Sequence, residues 1–193
     1  IYYVKSVGGR WDIYAHDLAR KKSHRVTIGL RGKDPAVSPD GKQIAFVGNR
    51  DGSQRLGIVN INGTNTRYLT QHNDGTQYYG PQWSPDGSRI LFTVFRGEDR
   101  DIAVIDVEAT PFPKKTGKKP AEDTDSTKAF PDSLAYANNA GFEALLRSTA
   151  DERDPVWLPD GSGFVYSSDR TGIFNLYTFD LATGRQSRVT NVI

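Results

Sequence analysis

Apolar residues along this chain come in short runs separated by polar, glycine-rich segments. Ile44-Ala45-Phe46-Val47 and Ile90-Leu91-Phe92-Thr93-Val94 are apolar at nearly every successive position, and the second run extends only to Phe95. Runs of this length bounded by Gly, Pro and Asp describe β-strands, and the loss of simple alternation means that both faces of the strand are covered. Nowhere is there the three-and-four spacing that an amphipathic helix requires. The pattern predicts an all-β chain whose central strands lie sandwiched between neighbouring sheets.

The runs recur with fixed punctuation. Asp34-Pro35-Ala36-Val37-Ser38-Pro39-Asp40-Gly41, Gly80-Pro81-Gln82-Trp83-Ser84-Pro85-Asp86-Gly87 and Asp154-Pro155-Val156-Trp157-Leu158-Pro159-Asp160-Gly161 are three copies of one segment. Counted from Ser38, Ser84 and Leu158, an apolar residue follows six positions on (Ile44, Ile90, Phe164) and an aromatic eight on (Phe46, Phe92, Tyr166). A short polar residue stands twenty-two on (Asn60, Asp106, Asp180). The same spacing projected back from Asp17 requires an apolar residue at position 1 and an aromatic at position 3, where Ile1 and Tyr3 stand. Val26-Thr27, Leu69-Thr70 and Val189-Thr190 close three of the four units identically.

In the Pro-Asp-Gly turn, Pro presets one dihedral, Asp bonds its own downstream backbone and Gly accepts positive φ, so the segment joins two antiparallel strands. A polar loop (Gly48 to Ser53, Arg96 to Arg100, Ser167 to Gly172), a third strand and a short fourth strand follow. A four-stranded unit repeating at 46 residues, from Ser38 to Ser84, is what one blade of a β-propeller requires, since a blade buries its faces only against adjacent blades. The expected fold is a β-propeller, or a portion of one, built of four-stranded antiparallel blades. Its units span about 1–29, 34–70, 80–148 and 154–190, with the first lacking its opening strand. Three complete units and a partial one are fewer than an ordinary ring, so more chain, or an open or four-bladed arrangement, is expected.

The interval from Ser84 to Leu158 is 74 residues, 28 longer than the regular repeat. The surplus, about 109–140, holds four of the ten prolines, the Lys114-Lys115 and Lys118-Lys119 pairs and acids at Glu122, Asp123 and Asp125. Such a composition buries too little apolar surface to order itself, so a flexible insertion is expected there, with Phe112, Phe130 and Tyr136 as anchors if it folds onto a partner. Phe142 to Ser148 is expected to resume the fourth strand.

The repeats resemble the WD-like propeller repeats of the TolB family, with Pro-x-Trp-Ser-Pro-Asp-Gly best kept at Pro81 to Gly87. Similar repeats occur in the propeller domains of tricorn-type and prolyl-oligopeptidase-type peptidases and in some polysaccharide lyases. The resemblance implies a non-catalytic module for protein–protein interaction, extracytoplasmic or periplasmic in a bacterium, in an envelope assembly or as an accessory subunit of another membrane-associated complex. The alternative is the gating propeller of a serine peptidase whose catalytic domain lies elsewhere.

Chemistry is sparse. With no Cys, no Met and three His, thiolate and zinc-thiolate sites are excluded. No Gly-x-Ser-x-Gly is present to form a nucleophile elbow. His16 falls where the other units carry Val59, Ile105 and Phe179, a packed strand position. Asp123-Thr124-Asp125-Ser126 begins like a calcium loop, but Lys128 and Leu134 stand where Gly and Glu are required. Asn62-Gly63-Thr64 reads as hairpin-tip chemistry. No catalytic residue, cofactor or metal is expected. A net charge of +2 with pI 8.8 gives no expectation of nucleic acid, and no run approaches the roughly 20 apolar residues of a membrane-spanning helix. Function is therefore expected on loops. The loops opposite the Pro-Asp-Gly turns carry Arg50, Asp51, Arg96, Glu98, Asp99, Arg100, Asp169 and Arg170, joined by His72, Asp74, Tyr78 and Tyr79 from the links. Mixed charge with Arg and Tyr is the composition of a polar protein-binding face.

Overall fold

The computed structural model describes residues 1–50, 52–70, 74–97, 99–108 and 141–192, leaving aside the side chain of Arg50. The insertion expected at about 109–140 lies outside them. Four antiparallel sheets follow one another along the chain. The first has three strands, β1 (Tyr2–Val7), β2 (Arg10–Asp17) and β3 (Lys22–Arg25). The second contains β4 (Lys33–Val37), β5 (Gln43–Arg50), β6 (Ser53–Asn60) and β7 (Arg67–Tyr68). The third contains β8 (Gln77–Trp83), β9 (Arg89–Arg96), β10 (Asp99–Asp106) and β11 (Glu143–Leu146). The fourth contains β12 (Glu152–Trp157), β13 (Gly163–Ser168), β14 (Asn175–Asp180) and β15 (Gln186–Arg188). Each is a simple meander, and the three-stranded sheet begins at the second strand of the pattern.

Three hydrophobic clusters seal the three contacts between successive sheets. Ile13 and Ala15 meet Ile44, Phe46 and Val59. Ala45, Val47, Leu56 and Ile58 on the opposite face of the second sheet meet Tyr78, Ile90, Phe92 and Ile105. Leu91, Ile102 and Val104 meet Trp157, Phe164, Tyr166 and Phe179. This is why β5 and β9 lack alternation: Ile44 through Val47 and Ile90 through Phe92 are all fully buried, each face serving a different neighbour. Full burial of one such side chain stabilises by roughly 1.5–3 kcal/mol. The two tryptophans of the turn segments add a polar tie, donating their indole N–H groups across to the preceding sheet, Trp83 to the Ala36 carbonyl at 2.9 Å and Trp157 to the Gln82 carbonyl at 3.1 Å.

The turn is built as its residues require. Asp86 accepts the Ser84 hydroxyl at 2.6 Å and the Ser88 N–H at 3.0 Å, and Ser84 in turn accepts the Arg89 N–H at 2.9 Å. These bonds, the Ser84 hydroxyl foremost, hold the Asp86 carboxyl down to about 2. Where Leu158 replaces the serine, Asp160 keeps only the Ser162 N–H and hydroxyl. The closing threonines have a shared task as well: the Oγ1 atoms of Thr27, Thr70 and Thr190 accept the N–H of Ile13, Leu56 and Leu176 at 2.8–2.9 Å. They satisfy a third-strand donor where the short fourth strand ends.

Each first strand also carries an irregularity. The register shifts across Asp34-Pro35, Gly80-Pro81 and Asp154-Pro155, and Asp34, Gly80 and Asp154 share φ of 51–52°. Pro lacks an N–H and is tolerated at such a bulge, which re-aims the residues just before it toward the end of the sheet that carries the links.

Candidate functional site

Because the Pro-Asp-Gly turns and the third-to-fourth-strand turns share one end of the sheets, the second-to-third-strand loops and the links between sheets share the other. Polar residues there form a line across three sheets. Arg100, opening β10, reaches Asp151 in the following link at 3.0 Å. Asp151 also pairs with Arg153, and its N–H donates to Asp169 Oδ1 at 2.8 Å. Arg153 and then Arg100 hold the Asp151 carboxyl below the usual carboxylate range. The Arg100 guanidinium lies 5.6 Å from the Tyr79 ring centroid, Lys33 Nζ lies 4.5 Å from the same ring, and Arg153 lies 4.5 Å from the ring of Phe174. Cations at such distances gain from the ring quadrupole.

Beneath this line the fourth unit holds an ion pair with one buried member. Glu152 is fully buried and accepts the Arg170 guanidinium at 2.5 Å and the Ser148 hydroxyl at 3.2 Å. Arg170 also donates to the Tyr166 hydroxyl at 2.8 Å. Burial raises the Glu152 carboxyl. Nearby Asp101 accepts the Ser148 N–H at 3.4 Å and lies 3.7 Å from Arg147 Nε, yet burial carries its carboxyl up to about 6. Ser148, Thr149, Ala150, Asp169 and Arg170 line an open cleft of about 470 Å³ above the pair. Among the described residues no group of three or more His, Asp or Glu is arranged to hold a metal ion.

The residues expected on this face separate into distinct roles. Tyr79, Arg100, Asp169 and Arg170 converge here, although Arg170 is engaged with Glu152. Tyr78 is a correction: its side chain is fully buried, in edge contact with Phe92 and Phe142 at 5.7 and 6.3 Å between centroids. Adjacent strand residues point to opposite faces of the sheet, so Tyr79 lies away from that core and packs with Lys33 and Arg100 instead. Arg96 packs its guanidinium 4.9 Å from the Phe142 ring, and Asp99 lies opposite it across the hairpin. Asp74 accepts the Thr76 N–H and hydroxyl at 3.0 and 2.6 Å, a local turn. Asp51, His72, Glu98 and the side chain of Arg50 lie outside the described residues.

Glu152 and Asp101 escaped the sequence reading. Glu152 sits in a run of charges, Asp151 to Asp154, that reads as loop, and its partner is far along the chain. One signal was present: Arg50, Arg96 and Arg170 each stand twelve residues after the serine or leucine of the turn. A cation recurring at one repeat position needs a recurring reason. In the third unit Arg96 lies against the ring of Phe142, just before the fourth strand, and in the fourth unit Arg170 pairs with Glu152 of the first strand.

The chain is 31% identical over 153 residues to the Bacillus subtilis protein named uncharacterized peptidase YuxL, a match covering 73% of this chain and 22% of that one. It is also 31% identical over 121 residues to the Tol-Pal system protein TolB of Anaeromyxobacter sp. strain K, covering 62% of this chain and 27% of the relative. The crystal structure of TolB from Acinetobacter baumannii superposes over 98% of this chain and 40% of its own with a TM-score of 0.67 at 21% identity, a likeness of fold. The chain thus spans about a quarter of the length of these two curated relatives. The profile of the TolB beta propeller domain matches residues 1–141. Together with four sequential meander sheets sealed face to face, that match assigns this chain to the TolB β-propeller domain family.

Proposed function

We propose that this chain is a non-catalytic propeller module that binds a protein or peptide through the loop face, in an extracytoplasmic assembly of a bacterium. The observation that carries the reading is the line of Lys33, Tyr79, Arg100, Asp151 and Arg153 across three sheets, at the end where propeller loops are free to meet a partner. Arg and Tyr are the residue types that anchor protein interfaces. The TolB relatives, named for the Tol-Pal system, support an envelope setting. The test is retention of a specific envelope protein by the immobilised chain, compared with the Tyr79→Ala/Arg100→Ala variant. Loss of retention with an unchanged melting temperature is the expected result. Equal retention by the variant would remove this face from the reading.

A second reading is favoured by the relative named a peptidase: the chain serves as the propeller domain beside a serine-hydrolase domain. A Gly-x-Ser-x-Gly in the adjoining chain, with hydrolysis of a dipeptidyl nitroanilide by the whole protein, would establish it. Neither is expected under the first reading.

A further inference from the structure

The hairpin tips between third and fourth strands are anchored in two ways. In the first unit Asp17 Oδ1 accepts the N–H groups of Ala19 and Arg20 at 2.9 and 3.0 Å, and in the fourth Asp180 Oδ1 accepts the Thr183 N–H and hydroxyl at 2.8 and 2.7 Å. A residue of positive φ, Lys21 or Gly184, follows four positions on. In the second unit Asn60 holds that place, but the anchor has moved to Asn62. Its Oδ1 accepts the Thr64 N–H at 3.1 Å and the Thr64 hydroxyl at 2.7 Å. Positive φ falls at Gly63, directly after it. The chain holds no other Asn-Gly pair.

This tip is arranged for one reaction. An Asn side chain can be attacked at Cγ by the backbone nitrogen of the residue that follows, and a β-carbon on that residue is the chief steric obstacle. Gly63 has none and can gain none, because a Cβ there would lie 2.3 Å from the Val26 carbonyl oxygen, where the chain leaves the first sheet. The bond from the Thr64 N–H folds the Asn62 amide back over the Asn62–Gly63 peptide. The two donors on Oδ1 polarise the Cγ carbonyl and meet the negative charge that grows on that oxygen under attack. Asn60 Nδ2 donates to Thr64 Oγ1 at 3.0 Å, which leaves the hydroxyl proton for Asn62. Asn62 is exposed, so ammonia can leave and water can enter. One contact opposes the reaction: the Gly63 N–H is donated to the Asn60 carbonyl at 2.8 Å. Holding that proton slows the step by about tenfold relative to a free peptide.

We propose that Asn62 is a covalent modification site, converting without an enzyme to aspartate and isoaspartate and thereby loosening the contact between the first and second sheets. The Gly63 nitrogen bonds to Asn62 Cγ, the Cγ–Nδ2 bond breaks, and ammonia leaves with the proton that the Gly63 nitrogen gives up. Water then opens the succinimide ring. Cleavage between Cγ and nitrogen gives aspartate, and cleavage between the backbone carbonyl carbon and nitrogen gives isoaspartate, whose chain runs through the former side chain. One water is consumed and one ammonia released. Both products carry a new negative charge. Isoaspartate also lengthens the backbone by one methylene immediately before Gly63, where the tip closes against Val26 with no space to spare.

The folded chain is incubated in mildly alkaline buffer and digested with trypsin, which releases Leu56 to Arg67 as one peptide. The same peptide, free in the same buffer, serves as the clock. Mass spectrometry is expected to show the exchange of amide for acid at Asn62 before any other Asn, in both aspartate and isoaspartate forms. Thr64→Val removes the hydroxyl and should slow conversion in the folded chain about fivefold, as the loss of one hydrogen bond would, while leaving the rate in the urea-unfolded chain unchanged. The isoaspartyl form, separated from the parent by its added charge, should melt a few degrees lower. Asn62 left intact after about thirty half-times of the free peptide overturns the proposal. So does a folded Thr64→Val chain that converts as fast as the parent, or an isoaspartyl form that melts with it. A saccharide on Asn62 of the chain taken from its own cell also overturns it, since the motif would then be a glycosylation acceptor.

Discussion

Leu56, Ile102 and Leu176 occupy one repeat position on the second, third and fourth sheets, and Ile13 occupies it on the first. Ile13, Leu56 and Ile102 are fully buried, whereas Leu176 is 42% exposed. The strand that carries each is the same, the spacing from the turn is the same, and the residue is aliphatic every time. What differs is the neighbour: a following sheet lies on the first three, and among the described residues none lies on the fourth. Val156 on the same sheet is likewise exposed, and Ser167 and Thr178 take the positions that Val47, Thr93, Ile58 and Val104 hold elsewhere. A repeat position places an apolar side chain on a face; only the adjoining blade removes it from water. Stability in such an array is a sum of unit and interface contributions, so equal residues contribute unequally.

The largest test of this comparison is Leu56→Ala. It opens a cavity inside a sealed contact and is expected to cost about 3 kcal/mol in denaturant unfolding. Next is the ion pair within the fourth unit. Arg170→Ala leaves the Glu152 carboxylate buried without its cation and is expected to cost about 2 kcal/mol. The Glu152→Leu/Arg170→Leu pair should recover most of that loss, because apolar residues there need no desolvation of charge. A smaller effect follows from Asp101. Its folded-state carboxyl titrates near 6, above its unfolded value, so the folded state binds the extra proton and stability rises as pH falls from about 7 toward 5. Below about pH 4 the turn acids Asp40, Asp86 and Asp160, whose carboxyls are held low, reverse the trend. Melting temperature against pH should therefore peak between the two, and Asp101→Asn should flatten the slope between 5 and 7. The smallest expected change is Leu176→Ala, under about 1 kcal/mol, since its side chain is already half in water. A loss there equal to that at Leu56 would mean that another surface covers the fourth sheet in solution.

Much of the architecture was legible because it is periodic. Ser84-Pro85-Asp86-Gly87 dictates its hairpin through bonds within six residues, and the closing threonines repeat because each caps the same third-strand N–H. The candidate site was legible in composition and location only. Tyr78 and Tyr79 are chemically alike and adjacent, and which of them enters the core depends on the bulge at Gly80-Pro81 and on the arrival of Phe142 from beyond the insertion. Glu152 stands where the second unit has Gly32 and the third has Tyr78, three residues with no property in common, so no pattern marks it as buried.

The sequence by itself thus determined the unit: its strands, its turn, its period and the sides on which its aliphatic residues lie. Those are properties of local dihedral preference and two-residue alternation, which act within a few neighbours. Which of those residues are dry was decided by tertiary structure, as was the joining of Arg170 to Glu152 and of Arg100 to Asp151. Burial and the Arg100–Asp151 pair depend on what the next unit presents across the gap, and the Arg170–Glu152 pair on how the strands of one unit fold back on each other; both are set by residues apart in the chain.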